Sequence, residues 1–346
     1  MKLCSLIFLQ LWIVQGLKTW SYDDQESWTG RCRSGNSQSP IDLVVSTFST
    51  KPIERLFFSN SYRYKLPCTL NNDGNNLRLT FGSEKAVNIS GGELNGNFVL
   101  SHVLFFWGAV DKVGSEHLVN GKAYPLETQL VHYNSKYKSA KNAESKSDGI
   151  AIFSTLFSVS DRDNIQLKPL FDSIQRVSKP GKSVTLTENL KPNYFLPRIT
   201  SPLYRYMGSQ TSPPCAETVS WTVFYNVEEI SSRQLTQLRT VQGEDGQFLG
   251  KSRKVKPLNG RQVYVGQAYL QKKEITVSTT TVKAQKEYLQ LGSKSSEFGW
   301  WQAPSPLWVV FFCVALMGFC SIMTTWLLIR RFRRHTLVPT DEIEMD

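Results

Sequence analysis

Two stretches of alternating side chains constrain the fold of this chain most. Residues 99–107 alternate as a β-strand does, and a second strand-like run follows at residues 127–134. One face of the first run carries Leu100, His102, Leu104 and Phe106. In the second run, Gln129 lies on one face with Glu127 and Val131. This pattern predicts two β-strands at the centre of a β-rich domain.

Four short motifs accompany these strands: QSPID at 38–42, ISGG at 89–92, GSEH at 114–117 and GSQTSPPC at 208–215. Together, and in this order, they resemble the α-class carbonic anhydrases over residues 20–271. Because so many blocks occur in register, the resemblance is specific. It implies a mainly β (α+β) fold, with a single α-carbonic-anhydrase-like domain built around a large central, mostly antiparallel twisted sheet.

The resemblance also locates the family's metal site. In that family, two histidines at i and i+2 on one strand and a third on the neighbouring strand bind zinc. The matching positions here are Leu104, Phe106 and Gln129. Leucine and phenylalanine offer no lone pair to a metal, and a glutamine amide is a poor zinc ligand beside imidazole or thiolate. We therefore expect a chain that keeps the fold without zinc or any other cofactor.

The residues that assist catalysis in the family have counterparts here. By the resemblance, Thr211 and Glu116 match the threonine and glutamate that orient the zinc-bound hydroxide. Without a metal this vestigial pair is expected to be structural, because a buried carboxylate needs hydrogen-bond donors. Allowing for one inserted residue, Asn75 stands where the family has a proton-shuttling histidine, and asparagine does not titrate near neutral pH. We expect no catalytic residue.

A rebuilt zinc site would need other ligands, and the chain has four histidines: His102, His117, His132 and His335. By the resemblance, His117 and His132 match core histidines of the family. His102 shares a strand face with the lost ligand positions, so it should point into the former metal cavity. One imidazole with Gln129 does not make a three-ligand site, and we expect no replacement zinc centre.

The two ends of the chain predict a membrane protein. Residues 1–18 have the shape of a secretory signal, with a buried N-terminal helix as the alternative. Residues 307–329 contain no charge and exceed the length of about 20 residues that crosses a bilayer. Arginines begin the tail at 330–346, which places it in the cytoplasm. The prediction is a single-pass type I protein of the cell or envelope membrane, with domain 19–271 outside and a Ser/Thr/Lys-rich stalk at 272–306.

Covalent features follow from this topology. Three cysteines lie in the predicted extracellular part: Cys32, Cys68 and Cys215. Secreted and membrane-bound relatives join the segment before QSP to the cysteine after TPP, so the resemblance implies a Cys32–Cys215 disulfide. Cys68 is then a buried thiol or, alternatively, the bridge of a covalent dimer. Asn88 begins the only N-x-S/T sequon and is a predicted glycosylation site.

Two further elements are predicted from pattern alone. Residues 149–159 read as a buried strand. Residues 164–177 have apolar side chains every three to four positions, which predicts a helix capped by Asp161 or Asp163.

The net charge of +11 bears on partners. The signal contributes two of these charges and the tail none, which leaves an excess of nine on the outer part and favours contact with polyanions. Each basic run taken singly is more simply a solvated surface. The candidate polyanion-binding residues are Lys251, Arg253, Lys254 and Lys256. The extracellular topology excludes nucleic acid.

These observations favour a catalytically inactive carbonic anhydrase-related surface protein that acts as a binding or adhesion module. A glycosaminoglycan, another polyanion or a cell-surface protein would be its partner. The alternative is a membrane-bound carbonic anhydrase with residual or altered metal-dependent hydration of carbon dioxide. A third reading is a structural surface antigen without a specific ligand.

Overall fold

The strands of this protein were located in a computed structural model that describes residues 20–44 and 49–268. In chain order they are β1 (Asp42–Leu43), β2 (Ser49–Ile53), β3 (Leu56–Phe58), β4 (Cys68–Asn72), β5 (Leu77–Phe81), β6 (Asn88–Gly91), β7 (Phe98–Trp107), β8 (Leu118–Val119), β9 (Leu126–Asn134), β10 (Ile150–Ser160), β11 (Ser183–Thr185), β12 (Leu203–Gly208), β13 (Val219–Phe224), β14 (Glu228–Ser231) and β15 (Tyr264–Ala268).

Helices are short in the described part of the chain. The α-helices are α1 (Arg31–Ser34), α2 (Ala140–Ala143), α3 (Lys168–Phe171) and α4 (Ser232–Leu238). Single 3-10 turns occur at Gln25–Ser27, Asn60–Arg63, Ser135–Tyr137, Ile165–Leu167, Ile174–Val177 and Pro192–Phe195.

Thirteen of the strands form one large mixed sheet. Its main path runs β11-β4-β5-β7-β9-β10-β13-β12-β15-β2, while β3, β6 and β14 pair beside it. Most neighbours are antiparallel, and β10 pairs in parallel with β13 and β14, as β15 does with β2. A separate parallel pair joins β1 to β8. The predicted large, mostly antiparallel sheet is confirmed.

The two faces of β7 enter different parts of the core. Val103, Phe105 and Trp107 pack into the largest apolar cluster, whereas Leu104 packs on the opposite side of the sheet. A register shift between Leu100 and His102 interrupts the pairing of β7 with β9. Such a bulge changes which face the preceding residues occupy. Leu100 accordingly packs against the largest cluster and does not share the face of Leu104, which corrects the predicted alternation.

The single helix predicted at 164–177 is not formed. This segment contains a 3-10 turn, the short helix α3 and a second 3-10 turn. Pro169 has no backbone N–H and therefore breaks the helical hydrogen-bond pattern. The cap is Asn164, whose side chain accepts a hydrogen bond from the Leu167 backbone N–H at 3.3 Å, and neither predicted aspartate has this role. Ile165 is 71% exposed, so the apolar face is also incomplete.

The structure leaves the predictions for the chain ends untested. Among the described residues no helix is long and apolar enough to span a bilayer. Four predicted segments lie outside the described residues: the signal at 1–18, the stalk at 272–306, the span at 307–329 and the tail at 330–346.

Candidate functional site

Three neighbouring strands form the floor of a cavity of about 410 Å³. Arg78 on β5 pairs with Leu104 on β7, and Leu104 pairs with Gln129 on β9. This register places the three side chains in one row across the sheet, and all of them line the cavity. Two of the predicted former ligand positions therefore lie side by side on its floor.

The cavity has an apolar part and a polar part. Val131, Ile150 and Ile152 extend the apolar floor from Leu104. The other walls and the mouth are lined by Trp20, Asp73, Asn75, Asn76, Ser101, His102, Ala140, Glu144, Gln210, Thr211, Ser212, Pro213 and Pro214. Asn75, at the predicted position of the lost proton shuttle, is thus in the cavity wall.

His102 also lies on the cavity wall, where its strand position predicted it. Its Nδ1 atom is 2.9 Å from the Ser101 hydroxyl. Burial lowers the pKa of His102 to about 3, and the positive charge of Arg78 acts in the same direction. The imidazole is therefore neutral at physiological pH.

Phe106, the second former ligand position, does not line the cavity. It is 2% exposed and packs in a small cluster with Tyr22, Trp28, Cys32 and Cys215. The rings of Tyr22 and Phe106 meet edge to face with centroids 6.5 Å apart. The Phe106 side chain therefore packs the N-terminal aromatic segment, with Tyr22 and Trp28, against the sheet.

Gln129, the third position, joins two buried carboxylates. Its Nε2 donates to Glu116 Oε2 at 2.9 Å and to Glu127 Oε1 at 3.0 Å. Both carboxylates and the amide are almost completely buried. Each buried carboxylate needs donors, and the amide N–H groups supply one to each. Gln129 therefore serves here as a hydrogen-bond donor.

The rest of the hydrogen bonds to Glu116 come from two distant segments. The Arg253 backbone N–H donates to Oε1 at 3.1 Å, and the Thr211 side chain is a further partner. Burial raises the pKa of Glu116 to about 8, the negative charge of Glu127 adds to this, and the hydrogen bonds oppose it. The structure brings the predicted vestigial pair together.

The pKa of Glu127 is shifted in the opposite direction from that of Glu116. His117 donates to it from the backbone and lies within 2.9 Å through Nδ1, and the Ser154 hydroxyl donates at 2.7 Å. Burial acts to raise the pKa of Glu127, but the interactions with His117 and Ser154 outweigh it and lower the pKa. The sequence reasoning missed this network, although Glu127 and Gln129 share one strand face.

The comparison with known proteins decides the family. The profile of the eukaryotic-type carbonic anhydrases matches residues 16–267. The chain belongs to this family. Carbonic anhydrase 1 of Oryctolagus cuniculus is 35% identical over 239 residues, which cover 66% of this chain and 98% of that protein. Carbonic anhydrase 15 of Mus musculus is 32% identical over 285 residues, which cover 75% of this chain and 87% of that protein.

The residues at this carbonic anhydrase site do not fit a zinc ion. Leu104 and Phe106 have no donor atoms, which leaves the Gln129 amide oxygen as the one possible ligand atom at the three positions, and a single amide oxygen does not make a zinc site. Within residues 20–44 and 49–268, no group of three or more His, Cys, Asp or Glu side chains could hold a metal.

The disulfide of this carbonic anhydrase domain is formed between Cys32 and Cys215. Cys68 is a buried free thiol that donates to the Leu66 carbonyl at 3.1 Å. Its burial favours the thiol interpretation over an intermolecular bridge. Asn88 lies in β6 with a half-buried side chain, and its glycosylation stays a prediction.

The structure corrects one of the four predicted polyanion-binding residues, Arg253. Arg253 is 2% exposed and donates to the carbonyls of Ser39 and Cys32 at 2.8 and 3.0 Å, so it offers no charge at the surface. Lys251 forms ion pairs with Asp23 and Asp245. Lys254 lies 3.9 Å from the Glu26 carboxylate. Of the three lysines among the candidates, only Lys256 has no ion pair among the described residues.

Glu116→Gln should change the pH dependence of stability. The folded-state pKa of Glu116 is raised above its unfolded value, so its contribution to stability is fully present below about pH 4.5 and declines as the pH rises toward 8. The variant has no such loss. Between pH 5 and pH 8, we expect the stability of the variant relative to the parent to rise by on the order of a few kcal/mol, measured by urea unfolding. If the stability of the two proteins changed with pH in the same way, the raised pKa of Glu116 would be contradicted.

Proposed function

We propose that this chain is a catalytically inactive carbonic anhydrase-related protein whose zinc-free domain acts as a binding module at the cell or envelope surface. The observation that carries the proposal is the Gln129 amide, which bridges Glu116 and Glu127. Hydration of carbon dioxide in this family requires a metal-bound hydroxide. The floor of this cavity is organised by hydrogen bonds between side chains and offers no donor set for that metal.

The replaced side chains also support a stable domain without metal. Phe106 is fully packed, and burial of such a side chain contributes about 1.5–3 kcal/mol. The Glu116 carboxylate keeps its hydrogen bonds with Gln129, the Arg253 backbone and Thr211. These contacts stabilise the folded domain, as a bound zinc ion would. They supply no group that could replace the metal in catalysis.

Location outside the cell is part of the proposal. The signal-like start and the uncharged stretch at 307–329 favour a type I membrane protein. The Cys32–Cys215 disulfide supports an oxidising compartment. There the excess positive charge would meet polyanions or proteins of the surrounding surface, and nucleic acid would not be a partner.

Measurement of carbon dioxide hydration tests the loss of catalysis. The purified chain, assayed with added zinc, should give the rate of a protein-free blank. A carbonic anhydrase of known activity, assayed in the same buffer, shows that turnover would have been detected. A rate above the blank that disappears with a zinc chelator would favour the alternative, a membrane-bound enzyme with altered activity.

A further inference from the structure

An isolated bridge brings two distant basic segments together. Leu66 and Leu190 pair in antiparallel fashion, with N–H to O=C distances of 2.8 and 3.2 Å. The Leu190 side chain is buried in the core. Because side chains alternate along extended backbone, Lys65 and Lys191, next to the bridge at opposing positions, face away from the core. Opposed side chains of this kind have Cβ atoms about 5 Å apart.

Arg63 and Tyr64 precede Lys65 in the chain, and Tyr194 follows Lys191. We call the group the basic platform: Arg63, Tyr64, Lys65, Lys191 and Tyr194. The Tyr64 side chain is 59% exposed. The Lys191 ammonium lies 5.8 Å from the centroid of the Tyr194 ring. The platform therefore combines three cations with two tyrosine rings.

Buried residues hold both halves of the platform in place. Tyr62 is 1% exposed, and its hydroxyl forms a hydrogen bond with His132 Nε2 in the interior. In the other segment, Phe195 is buried, and its carbonyl accepts a hydrogen bond from the Thr155 hydroxyl at 2.8 Å. Because these anchors are internal, little ordering is needed before the platform meets a ligand.

The charges of the platform are not neutralised. Among the described residues, Arg63, Lys65 and Lys191 form no ion pair and no side-chain hydrogen bond. In two other basic runs one lysine is paired with an acidic side chain: Lys136 with Asp148, and Lys251 with Asp23. Like charges at opposing positions are destabilising, so a bound anion would relieve the repulsion between Lys65 and Lys191.

We propose that the basic platform binds a sulfated polysaccharide chain. This inference deepens the proposed binding function and rests on it. Sulfate groups would pair with the three cations, and the exposed face of Tyr64 would pack against a sugar ring. The disulfide indicates an oxidising, extracellular compartment, where long polyanions are carried by glycans.

A charge-matched pair of triple variants tests the proposal. Binding of the purified full chain in detergent is measured on immobilised chondroitin sulfate and heparin at about 0.15 M salt. Arg63→Gln/Lys65→Gln/Lys191→Gln should bind about tenfold more weakly than the parent. The control is Lys138→Gln/Lys141→Gln/Lys146→Gln, which removes three exposed lysines and should stay within about twofold of the parent. Thermal unfolding of each variant confirms that it is folded.

A third variant separates a glycan site from simple charge attraction. Tyr64→Ser leaves the charge unchanged and should still weaken binding, because it removes the ring. Equal loss of binding in both triple variants would show that the basic platform is not the binding site, while leaving the proposed binding function in place. Failure of the parent to bind either polysaccharide would overturn the polyanion role itself. Equally strong competition by polyglutamate, with Tyr64→Ser unchanged, would contradict a glycan and indicate an acidic protein.

Discussion

Leu104→His/Phe106→His/Gln129→His should convert the chain into a protein that retains one zinc ion through gel filtration. The surroundings needed for a ligand set are still present. Glu127 lies beside position 129 and accepts a hydrogen bond from its side chain, as a carboxylate does for a zinc-bound imidazole. Thr211, on the cavity wall, also keeps its hydrogen bond with the buried Glu116. Elemental analysis and thermal unfolding with and without zinc measure the change.

The metal-free form of this triple variant should be less stable than the parent. Phe106 packs in the aromatic cluster, and removal of a buried phenylalanine ring costs about 3–5 kcal/mol when the side chain becomes alanine. Zinc at about a thousand times its dissociation constant would restore about 4 kcal/mol. The matched control is Leu104→His/Phe106→His, which carries the same packing defect with one ligand fewer and should hold zinc much more weakly. If the triple variant bound no better than this control, the surroundings would no longer be those of a metal site.

Removal of the disulfide by Cys32→Ser/Cys215→Ser should give the largest loss of stability among simple substitutions. The cysteines are 183 residues apart in sequence, and closing so long a loop contributes about 5 kcal/mol in the chain-entropy account. For a domain of this size, the midpoint of thermal unfolding should fall by about 10–20 °C. The disulfide also joins two segments. In one, the Cys32 carbonyl accepts a hydrogen bond from the Arg253 side chain, and the other is the loop that follows Thr211.

Cys68→Ala is the control for the disulfide prediction, since it removes the free thiol without opening the bridge. It should cost about 1 kcal/mol, as a small change in the core. The parent in reducing agent should behave like the double variant. An unchanged unfolding midpoint in the double variant would show that the bridge closes no loop of importance to the folded domain.

Alternation along the chain predicted the strands well, because a two-residue period is a local property. The runs at 99–107 and 127–134 became β7 and β9. Three features could not be read in this way. Pro169 interrupts an apolar pattern that otherwise suits a helix, and the bulge at Leu100 follows from pairing between strands. The longest described helix, α4, was missed, although Ser231 and Gln234 form a capping box whose spacing is visible in the sequence.

The site was predictable where it depended on donor chemistry and unpredictable where it depended on distant partners. The identities of Leu104, Phe106 and Gln129 were enough to question metal binding. The burial of Arg253 was not predictable, because its acceptors, Cys32 and Ser39, are 221 and 214 residues away. In the folded domain Arg253 is an internal hydrogen-bond donor and adds no charge to the surface.

Zinc content of the purified chain is the most direct test of the central claim, that the cavity floor lacks a ligand set for the metal. The chain is produced in zinc-supplemented medium, exchanged into metal-free buffer and measured by elemental analysis, with Leu104→His/Phe106→His/Gln129→His treated in parallel. We predict no stoichiometric zinc in the parent and one zinc per chain in the variant. One zinc per parent chain, held in tetrahedral coordination between β7 and β9, would contradict the account.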